Sequence, residues 1–276
     1  MIDGRTGAIF PVTVGRDGMR LRAIEGIPEI VEGDDIGGML DELDQPAATE
    51  VVVIASTIVS KAEGRGRCLD EYEASRRARA IADRLNRRDG GERDPRFAQA
   101  VLAESEELII EDPFLLSATH FGHIGVNAGI DRTNLPEDAD ILLMPANPMD
   151  SAQRIHNQLQ HSPPVIISDT SGRPFRRGQR GVAIGWAGIP ATRDWRGYRD
   201  RRGKVLQVTV EAVVDELASA ANLVTGESDE GRPVVYVEDW YQGPFEGDDE
   251  LFRPIETDFV RQALREWEFD QPSAGD

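Results

Sequence analysis

Polar residues able to bind phosphate, carboxylate or a hard cation gather where short apolar runs end. Ser56, Thr57, Ser60 and Lys61 follow Val51-Val52-Val53-Ile54-Ala55. Asn127, Asp131 and Asn134 follow the run ending at Val126, and Asp169, Thr170 and Ser171 follow Val165-Ile166-Ile167. Loops at strand ends converge over a rigid support, so ligand groups collect there. Hard divalent cations take oxygen ligands, chiefly carboxylates, with hydroxyls and phosphate oxygens completing the shell. Asp131, Asp169, Thr170 and Glu227 supply such a set. Glu227 comes directly after a long helical stretch, whose C-terminal end carries partial negative charge and favours a cation. The other reading of each single Asp is a turn cap beside glycine, an ordinary use of that residue type.

Arg173, Arg176 and Arg177 lie in Ser171-Gly172-Arg173-Pro174-Phe175-Arg176-Arg177-Gly178. A run of guanidinium groups flanked by glycines suits phosphate or carboxylate, or else is a solvated loop neutralised by surface acids. Lys61 and Lys204 are the two lysines of the chain. A lysine kept beside Ser56, Thr57 and Ser60 fits the need for a compact point charge on a phosphate. His120, His123, His156 and His161 show no ligand spacing and read as structural, and Trp186 and Trp195 read as packing residues. The stretch Arg193 to Arg202 reads as surface or a dimer contact. No Walker loop, nucleophile elbow, zinc-protease helix or dinucleotide fingerprint occurs, so any nucleotide site is built by other means.

Charge narrows the classes. Lys plus Arg total 31 against 50 for Asp plus Glu, a formal net charge of -19 over 276 residues. Such a field repels nucleic acids and anionic membranes. An acidic surface almost free of lysine suits a protein kept soluble at high ionic strength, although an ordinary acidic protein from a GC-rich genome has similar composition. Cys68 is the single cysteine, so neither an internal disulfide nor a CxxC metal site exists. Met1 to Gly18 lacks the apolar core of a signal peptide and no run is long enough to span a bilayer, so a soluble cytoplasmic protein is expected.

These groups need elements to hold them. Val51–Ala55, Ile141–Met144, Val165–Ile167, Val182–Trp186 and Val234–Val237 read as strands, and Phe114–Val126 as a strand pair turning near Gly122. Helices are expected over Asp70–Asn86, Pro95–Glu107, Ser151–Gln160, Thr209–Val224 closed by Gly226, and Phe259–Glu268. Hairpins mixed with helices predict an α+β fold with mixed sheets.

Ordered blocks of the chain resemble the coenzyme F420-0:L-glutamate ligases, also called F420 γ-glutamyl ligases. The blocks are Glu25-Gly26-Ile27-Pro28-Glu29-Ile30 with Glu32-Gly33-Asp34-Asp35; Ala55 to Arg65 with its Ser56-Thr57 and Ser60-Lys61; Val126-Asn127-Ala128-Gly129-Ile130-Asp131 with Asn134; Ile167-Ser168-Asp169-Thr170-Ser171-Gly172-Arg173; and Asn222-Leu223-Val224-Thr225-Gly226-Glu227. Their order over residues 24–238 carries more weight than any one of them. It leaves residues 1–23 as an N-terminal extension and 239–276 as an acidic C-terminal segment with a terminal helix.

The resemblance implies a family-specific two-domain fold forming an intertwined homodimer, and a source among halophilic archaea. It implies Asp131, Asp169, Thr170 and Glu227 as ligands of divalent Mg or Mn, as a pair of ions, with K+ in addition. Ile27, Pro28, Glu29, Ile30, Ser56, Thr57, Lys61, Asn134 and the loop Thr225, Gly226, Glu227, Ser228, Asp229, Glu230, Gly231, Arg232 match GTP-contacting positions. The implied activity is GTP-dependent addition of L-glutamate to F420-0, with a second γ-linked glutamate to follow, through an acyl phosphate and giving GDP and phosphate. Lys61, Arg173, Arg176 and Arg177 would stabilise charge. The loop 228–232 is more acidic than such a nucleotide segment usually is. A metal-dependent nucleotide phosphohydrolase and a non-catalytic GTP-binding module are the rival readings.

Overall fold

Residues 18–240 and 247–266 are described in the computed structural model. In chain order they form β1 (Arg20–Ala23), α1 (Ile36–Asp44), β2 (Val51–Ala55), α2 (Ser56–Ala62), β3 (Gly66–Arg67), α3 (Arg76–Asp89) and α4 (Pro95–Ala103). Next come β4 (Ser105–Ile110), β5 (Leu116–Thr119), β6 (Ile124–Val126), β7 (Ile141–Leu142), α5 (Pro148–Gln158), β8 (Val165–Ser171) and β9 (Arg180–Ala187). β10 (Arg193–Asp194), β11 (Val210–Glu211), α6 (Val213–Thr225), β12 (Val234–Glu238) and α7 (Phe259–Glu266) complete it. The expected mixed α+β architecture is present.

Valine and isoleucine build the centre. β2 is a continuous β-branched run because both faces of its sheet are covered. Val52 and Ile54 pack with Leu40 of α1, Ile58 of α2, Ile155 of α5 and Ile167. Val51 and Val53 face the other way, onto Ile166, Val235 and the Val214, Leu217 and Ala218 stripe of α6. The sheet has five strands in the order β1-β12-β2-β8-β9. Within it β2 and β8 run parallel, with Ile54 beside Ile167 and Ala55 beside Ser168. Their C-terminal ends therefore open together. A second body packs α3 and α4 through Ile81, Leu85 and Val101 against Leu115, Ala128, Ile130, Ile141 and Leu143. There β4, β5 and β6 form a separate antiparallel sheet.

Several expected boundaries move, each for a local reason. The helix expected from Asp70 starts at Arg76, where the Ser75 side chain accepts from the Ala78 N–H, and a short 3-10 turn at Leu69–Glu71 precedes it. The helix expected to reach Glu107 ends at Ala103. Residues 105–110 instead pair with β5 as a strand, since Leu108-Ile109-Ile110 is better served by a sheet. β8 does not stop before Asp169 but continues to Ser171 against β9, and α6 begins at Val213 after β11 takes residues 210–211.

Residues 20–23, read as extension, are the edge strand β1, with Arg20 beside Glu238 and Ala23 beside Val235. The C-terminal segment also returns to the body. Trp186 Nε1 donates to Asp249 at 3.2 Å and Arg261 Nε to Glu107 at 2.8 Å. Residues 1–17, 241–246 and 267–276, including the last two residues of the expected terminal helix, lie outside the described residues.

Candidate functional site

The parallel register that sets Ala55 beside Ser168 sets the next residues, Ser56 and Asp169, side by side at the open end of the sheet. The Ser56 hydroxyl donates to Asp169 Oδ1 at 2.9 Å. Around this point lies a cleft of about 1120 Å³. Its walls come from residues 27–30, the start of α2, the segment 125–134 after β5, the end of β8, and the segment 221–233 spanning the end of α6.

Asp131 and Asp169 are half-buried in this cleft. Burial pushes the Asp131 carboxyl up to about 6, against a hydrogen bond from Thr57 that favours the charged form. Burial pushes Asp169 up to about 7; the charge of Asp131 adds to the shift, and Glu227 adds a little more. Bonds from Ser56 and the Thr170 N–H oppose it. Among the described residues no cationic side chain forms an ion pair with either acid; hydroxyls are what face them.

Thr170 Oγ1 approaches Asn222 Oδ1 at 3.3 Å and Glu227 Oε1 at 3.4 Å, and Asn222 Nδ2 donates to Glu227 Oε1 at 2.8 Å. Asn222 thus holds the hydroxyl and the carboxylate together. Sequence reasoning gave it no role. The signal was available, because Asn222 continues the buried stripe Val214, Ala218 at helical spacing with a polar residue.

The four predicted oxygen donors, Asp131, Asp169, Thr170 and Glu227, therefore share one cleft. Among the described residues no three His, Cys, Asp or Glu side chains are closed up into a metal-holding group. The donor chemistry nonetheless fits a hard cation: two carboxylates raised by burial, Asp169 further by the charges of Asp131 and Glu227, with a hydroxyl beside them.

Lys61 departs from expectation. It lies not on an open loop past the strand but on α2, with a side chain only 3% exposed. Its ammonium pairs with Glu29 and donates to Asn134 Oδ1 at 3.0 Å. Lys61 thereby links the segment Ile27–Ile30 to Asn134. Three separately predicted stretches form one cluster on the cleft wall.

Thr225, Gly226, Glu227, Ser228, Asp229, Gly231 and Arg232 also line the cleft. Glu230 does not. Its carboxylate turns back onto the loop, accepting from the Ser228 N–H at 2.9 Å, so it shapes the loop instead of facing a ligand. Arg173, Arg176 and Arg177 stand exposed on the connection between β8 and β9 and are not among the lining residues, although Ser171, Gly172 and Gln179 at its ends are.

Of the histidines read as structural, His156 Nδ1 bonds the Pro163 carbonyl at 2.8 Å and His120 Nε2 the Ala103 carbonyl at 3.0 Å. His123 lines the cleft. Trp186 is buried in the core, as expected.

Residues 26–239 match the family described as F420-0:Gamma-glutamyl ligase. The chain is 61% identical over 252 residues to the coenzyme F420:L-glutamate ligase of Halorubrum lacusprofundi, an alignment covering 91% of this chain and 100% of that one. It is 58% identical to the protein of that name from Natronomonas pharaonis, over 91% of this chain and 98% of the other. To the protein of that name from Archaeoglobus fulgidus it is 42% identical, over 88% and 96%. The first two sources are halophilic archaea.

Proposed function

The chain belongs to the F420-0:Gamma-glutamyl ligase family, and from that premise we propose that it joins L-glutamate to coenzyme F420-0 at the expense of GTP. The observation that carries the reading within the molecule is the shared cleft of Asp131 and Asp169, acids raised to about 6 and about 7 with hydroxyls against them and, among the described residues, no cation paired with either. Such a place suits a hard cation, the group through which acids of this kind could take a polyphosphate next to a carboxylate.

The terminal carboxylate of F420-0 attacks the γ-phosphorus of GTP, and the bond to the β-bridging oxygen breaks to release GDP. The glutamate amine then adds to the acyl carbon. Phosphate leaves with the C–O electron pair, and the proton lost from nitrogen passes to solvent or phosphate. A second, γ-linked glutamate follows by the same chemistry on the first product.

Little covalent work falls to the protein; it positions groups and stabilises charge. Lys61, set by Glu29 and Asn134, presents a fixed positive charge on the wall, and Arg232 a second one on the loop after α6. Ser56 and Thr57 hold the two aspartates in place. Asp131, Asp169, Thr170 and Glu227 would hold Mg or Mn, which supplies neutralising charge and polarises phosphoryl oxygens. A cytoplasmic homodimer and a requirement for K+ belong to the same reading; light scattering and an assay with NaCl in place of KCl test them.

The main experiment incubates the purified protein with GTP, F420-0, L-glutamate and Mg or Mn in KCl. Glutamylated F420, GDP and phosphate should appear only when all three substrates are present. With 18O in the F420-0 carboxylate, one label should pass to phosphate. GTP hydrolysis independent of F420-0 and glutamate would mean a phosphohydrolase, and binding without turnover a sensing module.

A further inference from the structure

The cleft contains a polar group that the reaction as written does not use. His123 is 7% exposed, lines the cleft, and has its Nε2 buried with no hydrogen-bond partner among the described residues. Its ring is fixed by Phe121, stacked at 6.5 Å, and by Phe252, edge-on at 6.1 Å. A Cβ at Gly125 would stand 3.1 Å from Nε2. The bare glycine keeps any side chain from standing against that nitrogen on the cleft side, where Gly125 also lines the cleft. Buried polar atoms in folded proteins are nearly always satisfied, so a stranded one on a residue that lines a ligand cleft calls for a partner from the ligand.

We propose that His123 contacts substrate in this cleft, with Nε2 donating a hydrogen bond to a substrate carboxylate. The inference rests on the ligase reading. Burial pushes the imidazole down to about 4, so near pH 7 it is a neutral donor. A carboxylate has only acceptors to offer and is repelled by Asp131, Asp169 and Glu227; a neutral N–H gives it a partner at the end of the cleft wall that Gly125 leaves bare. A phenylalanine here would pack equally well against Phe121 and Phe252, so packing alone does not account for histidine. The carboxylate has two sources, the amino acid and the terminal group of F420-0, and the experiment separates them.

The test compares the wild type with His123→Phe, which keeps a ring and removes the donor; His123→Gln, which restores one; and Gly125→Ala, which sets a methyl against Nε2. His123→Phe should melt at or above the wild-type temperature and keep the KM for GTP within twofold. Its KM for glutamate or for F420-0 should rise tenfold or more, and the affected substrate identifies the source. Gly125→Ala should act in the same direction, and His123→Gln should recover part of the loss.

Thermal stabilisation by L-glutamate or by F420-0, measured without GTP, gives a second reading independent of turnover. The ligand that stabilises the wild type should fail to stabilise His123→Phe. Unchanged carboxylate KM values and unchanged thermal shifts in His123→Phe overturn the proposal, as does an equal loss of GTP affinity. If the wild type ligates nothing, the ligase reading fails, and the thermal shifts still decide on His123; a wild type stabilised by neither carboxylate overturns it. Should His123→Phe not fold, Gly125→Ala and His123→Gln carry the same measurements.

Discussion

Asp131 and Asp169 sit in one cleft with hydroxyls against them, and each is raised chiefly by burial. Burying a charge that is not neutralised destabilises the fold, and a neighbouring like charge adds to it. Asp169→Asn removes one repelling charge while keeping an acceptor for the Ser56 hydroxyl. The variant should be as stable as the wild type, or more so, without divalent ions, and should lose both glutamate ligation and the extra thermal stabilisation that Mn or Mg with GTP gives the wild type. An unfolded variant would make Asp169 a structural cap, and retained ligation would remove it from the reaction. Lys61 calls for a different substitution, because its stem is interior and Lys61→Ala would also open a cavity. Lys61→Met keeps the volume and deletes the charge that holds Glu29 and reaches Asn134. Losing a charge-assisted phosphate contact should weaken GTP binding by roughly 1.5–3 kcal/mol, about ten-fold or more. Titration calorimetry of GTP on the folded variant checks this, and unchanged affinity would make Lys61 a strut between two segments and nothing more.

At the scale of elements, the end of α6 is the piece that delivers Glu227. Gly226 closes that helix at φ 77° and ψ -176°, a region essentially restricted to glycine. A Cβ there would also lie 2.4 Å from the Glu230 side chain. Gly226→Ala should therefore displace the loop, raising the KM for GTP at least several-fold with a fall in melting temperature of only a few degrees. Adding Glu230→Ala relieves the clash but not the backbone strain, so recovery should be partial. Full recovery would place the whole effect in the side-chain contact. Much of this arrangement was legible in the chain. Val51–Ala55, the helix ended by Gly226 and the polar residues beyond them are local signals, and the structure gathers them in one cleft. Asp169 and Thr170 within β8 were not, since Ser-Asp-Thr-Ser has the composition of a turn and only pairing with β9 makes it strand. The burial of Lys61 is hidden for a similar reason: nothing local shows that Glu29 and Asn134, far away in sequence, will cover its ammonium. His123 reads as structural in the sequence because a lone histidine has no spacing to read, and its significance rests on Gly125 and Phe252 being near it.

Across the whole molecule the question is which of two opposed electrostatic effects dominates. Many arginines are paired, among them Arg77 with Glu111 at 2.6 Å, Arg93 with Asp89 at 2.6 Å and Arg88 with Asp112 at 3.1 Å. Exposed pairs of this kind are worth about 0–1 kcal/mol each and lose some of it in salt. The chain nevertheless carries 50 acids against 31 bases, leaving a net charge of -19 that no pairing can cancel. With Lys61 interior, Lys204 is the one lysine left to the surface. The screening length decides between the two effects. It falls from about 10 Å at 0.1 M to about 3 Å at 1 M, so pairs in contact keep most of their attraction while acids spaced across the surface cease to repel. Stability should therefore rise with KCl, steeply below about 1 M, as relief of self-repulsion outweighs weakened pairs. Melting temperatures over a KCl series from 0.1 to 3 M, without nucleotide or divalent ion, measure this. A flat or falling series would mean the ion pairs dominate, and a rise that stays linear beyond 1 M would point to exclusion of salt from the protein surface in place of screening.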